Sequence, residues 1–159
     1  MSAVSVLEAT TRPAIAAMSL VQTLDFSMLR RKLEDPDEGL GVPSERLDVL
    51  EQEYRRFLAL RLAYPAEEIT PCRAVDQFWH AHILDTEAYA SDCEQLFGRF
   101  VHHYPYFGMR GDDDARDLRD AFARTLELYV ENFGEPPAGT WPVTTAAKCR
   151  TKCKPVKCK

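Results

Sequence analysis

Apolar residues recur every three or four positions through most of residues 14–134, the spacing of helices with one buried face. The first such stretch runs from Ala14 to Leu33, with Ile15, Met18, Val21, Leu24, Met28 and Leu29 on its apolar side, and Pro36 stops it. A second opens at Ser44, an N-cap residue after Pro43. It carries Leu47, Leu50, Tyr54, Phe57, Leu58 and Leu60 and ends at Pro65. The third is expected to take Thr70 as N-cap and Pro71 as first helical residue, and to run towards Gly98. The fourth starts at Asp112-Asp113-Asp114, acids suited to the positive end of a helix, and continues through Leu118, Phe122, Leu126, Tyr129 and Phe133 to Gly134. No stretch alternates with the period of a strand, and no segment repeats. The pattern predicts an all-α fold, a compact antiparallel bundle of about four to five helices.

Outside that span the periodicity disappears. Residues 1–13 read as a flexible N-terminus, 14–134 as one helical domain, and 135–159 as a Pro/Gly linker followed by a basic, cysteine-rich tail. With no apolar face, the tail is expected to be flexible and its removal to leave the domain's melting unchanged. Charge sharpens the division: the last twelve residues hold six Lys/Arg and no acid, so the net −5 is +6 in the tail against −11 in the body. An acidic body argues against nucleic-acid binding by the domain. No segment has the ~18–20 apolar residues needed to cross a bilayer. The apolar run from Ala14 to Val21 is too short, and its surroundings too polar, for a signal peptide. A cytoplasmic protein with reduced thiols is expected, since five cysteines suit no disulfide framework.

Candidate chemistry is concentrated in one region. All four histidines, His80, His82, His102 and His103, fall within a few turns of chain together with Cys93 and several carboxylates. Imidazole, thiolate and carboxylate are the ligands of transition metals. His80, His82, Cys93, His102 and His103 are therefore candidate ligands, supported by Asp76, Asp85, Tyr89 and Asp92. Helix geometry constrains how they combine. On a straight helix His82 and Cys93 stand about 16 Å apart along the axis, and His80 and His82 point about 200° apart around it. Two local groups are then expected: Asp76 with His80 or His82 with Asp85 on one helix face, and Cys93 with His102 or His103 after the turn at Gly98. A helix break at Asp85-Thr86, both of them capping residue types, would loosen these limits. The alternative is structural: hydrogen-bonded Asp–His pairs locking the core, with Cys93 a small buried residue. There is no HExxH, CxxC or Gly-rich phosphate loop to indicate a reaction.

The run VDQFWHAHILDTEAYASDCEQLFGRFVHHYPYFGMRG resembles the helical domain of the glycine-rich domain-containing protein-like family, most specifically in WHxHILDT and DC…FG…HHYPYFG. The resemblance covers about residues 40–134 and implies a stand-alone version of that domain, with no particular activity attached. Only seven glycines are present, so no RNA-related role of a glycine-rich region carries over.

Three functions stay open on these observations. The first is a small helical protein binding a transition metal or metal cofactor, with zinc the expected ion and iron or copper compatible. The second is a recognition domain whose terminal Cys149, Cys153 and Cys158 are modified by a partner enzyme; these thiols, among lysines, could also capture a soft metal. The third is a structural or interaction module with core histidines, whose tail meets an acidic protein partner.

Overall fold

Residues 12–142 are described by the computed structural model; residues 1–11 and 143–159, and with them Cys149, Cys153 and Cys158, lie outside the described residues. Six helices and no strand are found among the described residues: α1 (Pro13–Val21), α2 (Ser27–Glu34), α3 (Ser44–Ala63), α4 (Arg73–Leu84), α5 (Thr86–Phe97) and α6 (Asp112–Phe133). The all-α class agrees with the apolar periodicity, but there are more helices than expected. Two of the long stretches are each broken in two.

The first break spans residues 22–26, where Leu24 and Phe26 stay buried although the helix has stopped. The Asp25 carboxylate accepts the Ser27 N–H at 2.9 Å, a turn that leads the chain into α2. Arg55 on α3 holds the freed carbonyls, donating to Val21 O at 2.8 Å and Leu24 O at 3.1 Å, while Glu51 pairs with it at 2.7 Å. Helical spacing of apolar residues continues across this break, which is why periodicity alone does not show it. The second break is at Asp85, whose side chain accepts the Ala88 N–H at 3.4 Å as the N-cap of α5. α5 then ends at Gly98, whose φ of +65° places it in the left-handed conformation that glycine adopts without strain. At the start of α4 the helix begins at Arg73, not at Pro71. Thr70 instead joins α4's approach to α6, its N–H donating to Thr125 Oγ1 at 3.0 Å.

α3 is the axis of the bundle. Leu47, Leu50, Glu53, Tyr54, Phe57, Leu58, Ala59 and Leu60 are all buried, so it is covered on several sides. α1, α4 and α6 pack against it, and α4 also meets α2 and α5. The N-terminus of α1 is closed by α6: Ala14 N–H donates to Asn132 Oδ1 at 2.9 Å.

Packing does not stop at Gly134, the expected end of the domain. The chain turns back through residues 137–140 and inserts Trp141, 2% exposed, beside Tyr129 and Phe122. Its indole N–H donates to Glu53 Oε2 at 2.8 Å. Glu53 is a buried carboxylate on α3 that also accepts from Tyr129 Oη at 2.6 Å and pairs with Arg56 at 3.0 Å. Charge and hydrogen bonds thus satisfy an acid inside the core, and the linker supplies one of the donors.

Candidate metal centre and adjoining cleft

Asp76 and His80 stand one helical turn apart on α4, both on the same face. The remaining partner arrives from the loop 99–111, which returns over α4. Two anchors place that loop. Near its start, Tyr89 of α5 receives the Trp79 indole N–H at 3.0 Å and donates to Val101 O at 2.6 Å. At its end, Asp114 accepts Gly108 N–H at 2.7 Å and Arg110 N–H at 3.1 Å, and binds the Arg110 guanidinium at 2.7 Å. The Arg110 contact and the two amides hold the Asp114 carboxyl down at about 2. Gly108 has φ +84° with Leu118 directly against it, so a side chain there would meet both backbone strain and a clash.

Between these anchors His103 lies on Trp79, ring centres 4.5 Å apart, and turns its Nε2 to α4. Nε2 of His103 is 3.0 Å from Nε2 of His80 and 3.1 Å from Asp76 Oδ1; His80 Nε2 is 3.4 Å from Asp76 Oδ2. The Asp76 and His103 side chains are 7% and 10% exposed, while His80 is 33% exposed, so the group is reached from the His80 side. Among the described residues these three form a group able to hold a metal ion. An imidazole nitrogen offers one direction of bonding, a lone pair or a hydrogen. Two such nitrogens facing each other beside a carboxylate could hold a cation between them or share a hydrogen. Nitrogens about 2.1 Å from one ion would be separated by about 3.4 Å at the tetrahedral angle and about 3.0 Å at 90°.

The other expected ligands are elsewhere. His82, on the opposite side of α4, is buried among Phe26, Tyr54 and Tyr89. Its Nε2 faces Asp92 at 3.0 Å rather than Asp85, which caps α5, and its Nδ1 meets Tyr54 Oη at 2.8 Å. Both ring nitrogens are thus used within the core. Burial lowers the His82 pKa against the opposing pull of Asp92, and burial likewise raises that of Asp92. A neutral ring that donates its Nε2–H to Asp92 accepts the Tyr54 O–H hydrogen bond at Nδ1. Cys93 is buried and free, with no place in the histidine–aspartate group. His102 is exposed and packs on Phe100 at 4.9 Å. Instead of the expected nitrogen–sulfur mixture, the fold assembles two imidazoles and one carboxylate. Asp76, expected as a support and as a possible partner of His80 on one helix face, belongs to the group itself.

A cleft of about 360 Å³ opens beside this group, between α3, the segment before α4, the returning loop and α6. Trp79 and His103 form part of its wall, with Arg61, Thr70, Arg110 and Phe122. Arg61 was not apparent from the sequence as a site residue, because only the folded loop shows that it faces a cavity.

The site defines an all-helical domain carrying a two-histidine, one-carboxylate group at a loop–helix junction. The chain belongs to the UCP032817-like family, whose model matches residues 18–130. This corrects the resemblance to the glycine-rich domain-containing protein-like family, which the comparison does not show. The chain matches no curated protein and no solved structure.

Proposed function

We propose that the protein binds one divalent transition-metal ion through Asp76, His80 and His103. The observation that carries this is the convergence of two imidazole nitrogens, 3.0 Å apart, with a buried carboxylate. Three protein ligands on one side leave coordination positions for water or a substrate oxygen, as in catalytic rather than closed structural sites. Two histidines and a carboxylate suit zinc and ferrous iron, and the absence of sulfur from the group removes the argument for a soft ion such as Cu(I). An ion so held would supply Lewis-acid polarisation or an activated water.

Metal content of untagged protein, followed by zinc and anaerobic ferrous-iron titration, tests the reading. Wild type is expected to bind about one ion per chain, while Asp76→Asn and His103→Ala lose most of that affinity. His102→Ala is expected to bind as wild type. A second reading has one specific support, that 3.0–3.1 Å is also hydrogen-bonding distance, so the trio could lock the loop to α4 unaided. Melting in the presence and absence of added zinc separates the two. Metal binding to the folded state raises the melting temperature, whereas a purely structural lock leaves it independent of zinc.

A further inference from the structure

Arg61 projects from α3 into the wall of the cleft. Its guanidinium donates to Ile69 O at 3.2 Å and lies 5.4 Å from the Trp79 ring centre and 5.7 Å from that of Phe57. Arg30, Arg55, Arg56, Arg110 and Arg124 each have a carboxylate partner. Among the described residues, no carboxylate lies within ion-pair distance of Arg61. A guanidinium has five N–H donors, and most of these are left for a ligand. Burial pulls the Arg61 pKa down, against the smaller opposing pull of the Glu68 carboxylate. Around it the cleft mixes apolar side chains, Ile69, Trp79, Phe107 and Phe122, with polar ones, Glu68, Thr70, His103 and Arg110.

We propose that this cleft binds a small organic monocarboxylate, its carboxylate on Arg61 and its apolar body against Trp79, Phe107 and Phe122. Charge selects a monoanion over a phosphate dianion. Glu68 also lines the cleft, and Arg110, the other arginine there, is already neutralised by Asp114. A guanidinium meets a carboxylate through two parallel hydrogen bonds, a geometry a neutral amide cannot match. The volume is at the small end of the range for ligand clefts, which sets the size of the guest. This site is separate from the ion's: Asp76 and His80 do not line the cleft, and only His103 belongs to both.

The test uses chelator-treated full-length protein titrated with benzoate, phenylacetate and hexanoate, with benzamide and inorganic phosphate as comparisons. Binding is followed by NMR at the Trp79 indole N–H and the Arg61 Nε–H. At least one carboxylate is expected to shift both signals saturably, with benzamide and phosphate about tenfold weaker or more, and Arg61→Met is expected to weaken carboxylate binding by about tenfold or more. No saturable shift with any of the three carboxylates overturns the proposal, as does equal binding of benzamide or preferential binding of phosphate. Carboxylate affinity unchanged in a folded Arg61→Met protein also overturns it. Should that variant not fold, the benzoate–benzamide comparison on the wild type decides alone. With no metal present, the outcome is independent of whether Asp76, His80 and His103 hold an ion.

Discussion

His82 shows how one imidazole can be conspicuous in sequence and yet be committed to the core. Tyr54 and Asp92 engage its two nitrogens, and three aromatic rings surround it. Burial outweighs Asp92 and lowers its pKa. The unfolded imidazole takes up a proton near pH of about 6.5, and the folded one resists doing so. The unfolded chain therefore binds more protons in that range, and the contribution of His82 to stability is complete above about pH 6.5 and declines as pH falls below it. Asp92 acts in the opposite sense, because its raised pKa favours the folded state once acid is sufficient to protonate it. NMR titration is expected to find the His82 ring protonating below its ordinary value. A ring that titrates at or above about 6.5 would show that Asp92, not burial, governs it.

Among the elements, the pair α4–α5 and its returning loop determine whether the histidine–aspartate group exists. Tyr89 ties Trp79 to Val101, two residues before His103, so its hydroxyl positions that imidazole without touching it. Tyr89→Phe leaves a buried indole N–H and carbonyl without their partner, a loss of about 1–3 kcal/mol. Zinc affinity is expected to fall with it, whereas Tyr104→Phe, at an exposed ring, changes neither melting temperature nor zinc titration. Much of this was legible beforehand. Helical periodicity identified the all-α class and the face shared by Asp76 and His80; the capping residue types at Asp85-Thr86 permit a break between α4 and α5, although the periodicity reads as one helix running towards Gly98. Which histidine completes the group was not legible, because it depends on hydrogen bonds between positions distant in sequence. Nor was the partner of His82: Asp85 is nearer along the chain, but its carboxylate caps α5. The division of the first helix is not legible for a similar reason, since Arg55, more than thirty residues away, donates to the carbonyls the break releases.

At the scale of the molecule, Trp141 and Glu53 join the last described residues to the central helix. Trp141→Ala is expected to cost about 3–5 kcal/mol, through the cavity and the donor lost to a buried carboxylate. A chain ending at Gly134 should therefore melt well below one ending at Pro142, contrary to what the loss of periodicity after Gly134 suggests. Equal melting temperatures for the two would mean that Trp141 adds nothing to the fold. His103 has a wider consequence. One edge of its ring belongs to the ion's group and the ring itself to the wall of the cleft. Two guests sharing one imidazole would be thermodynamically linked: whatever factor the ion imposed on the carboxylate's affinity, the carboxylate would impose on the ion's. A cell's supply of a small acid and its supply of a metal would then be read against each other by a single side chain.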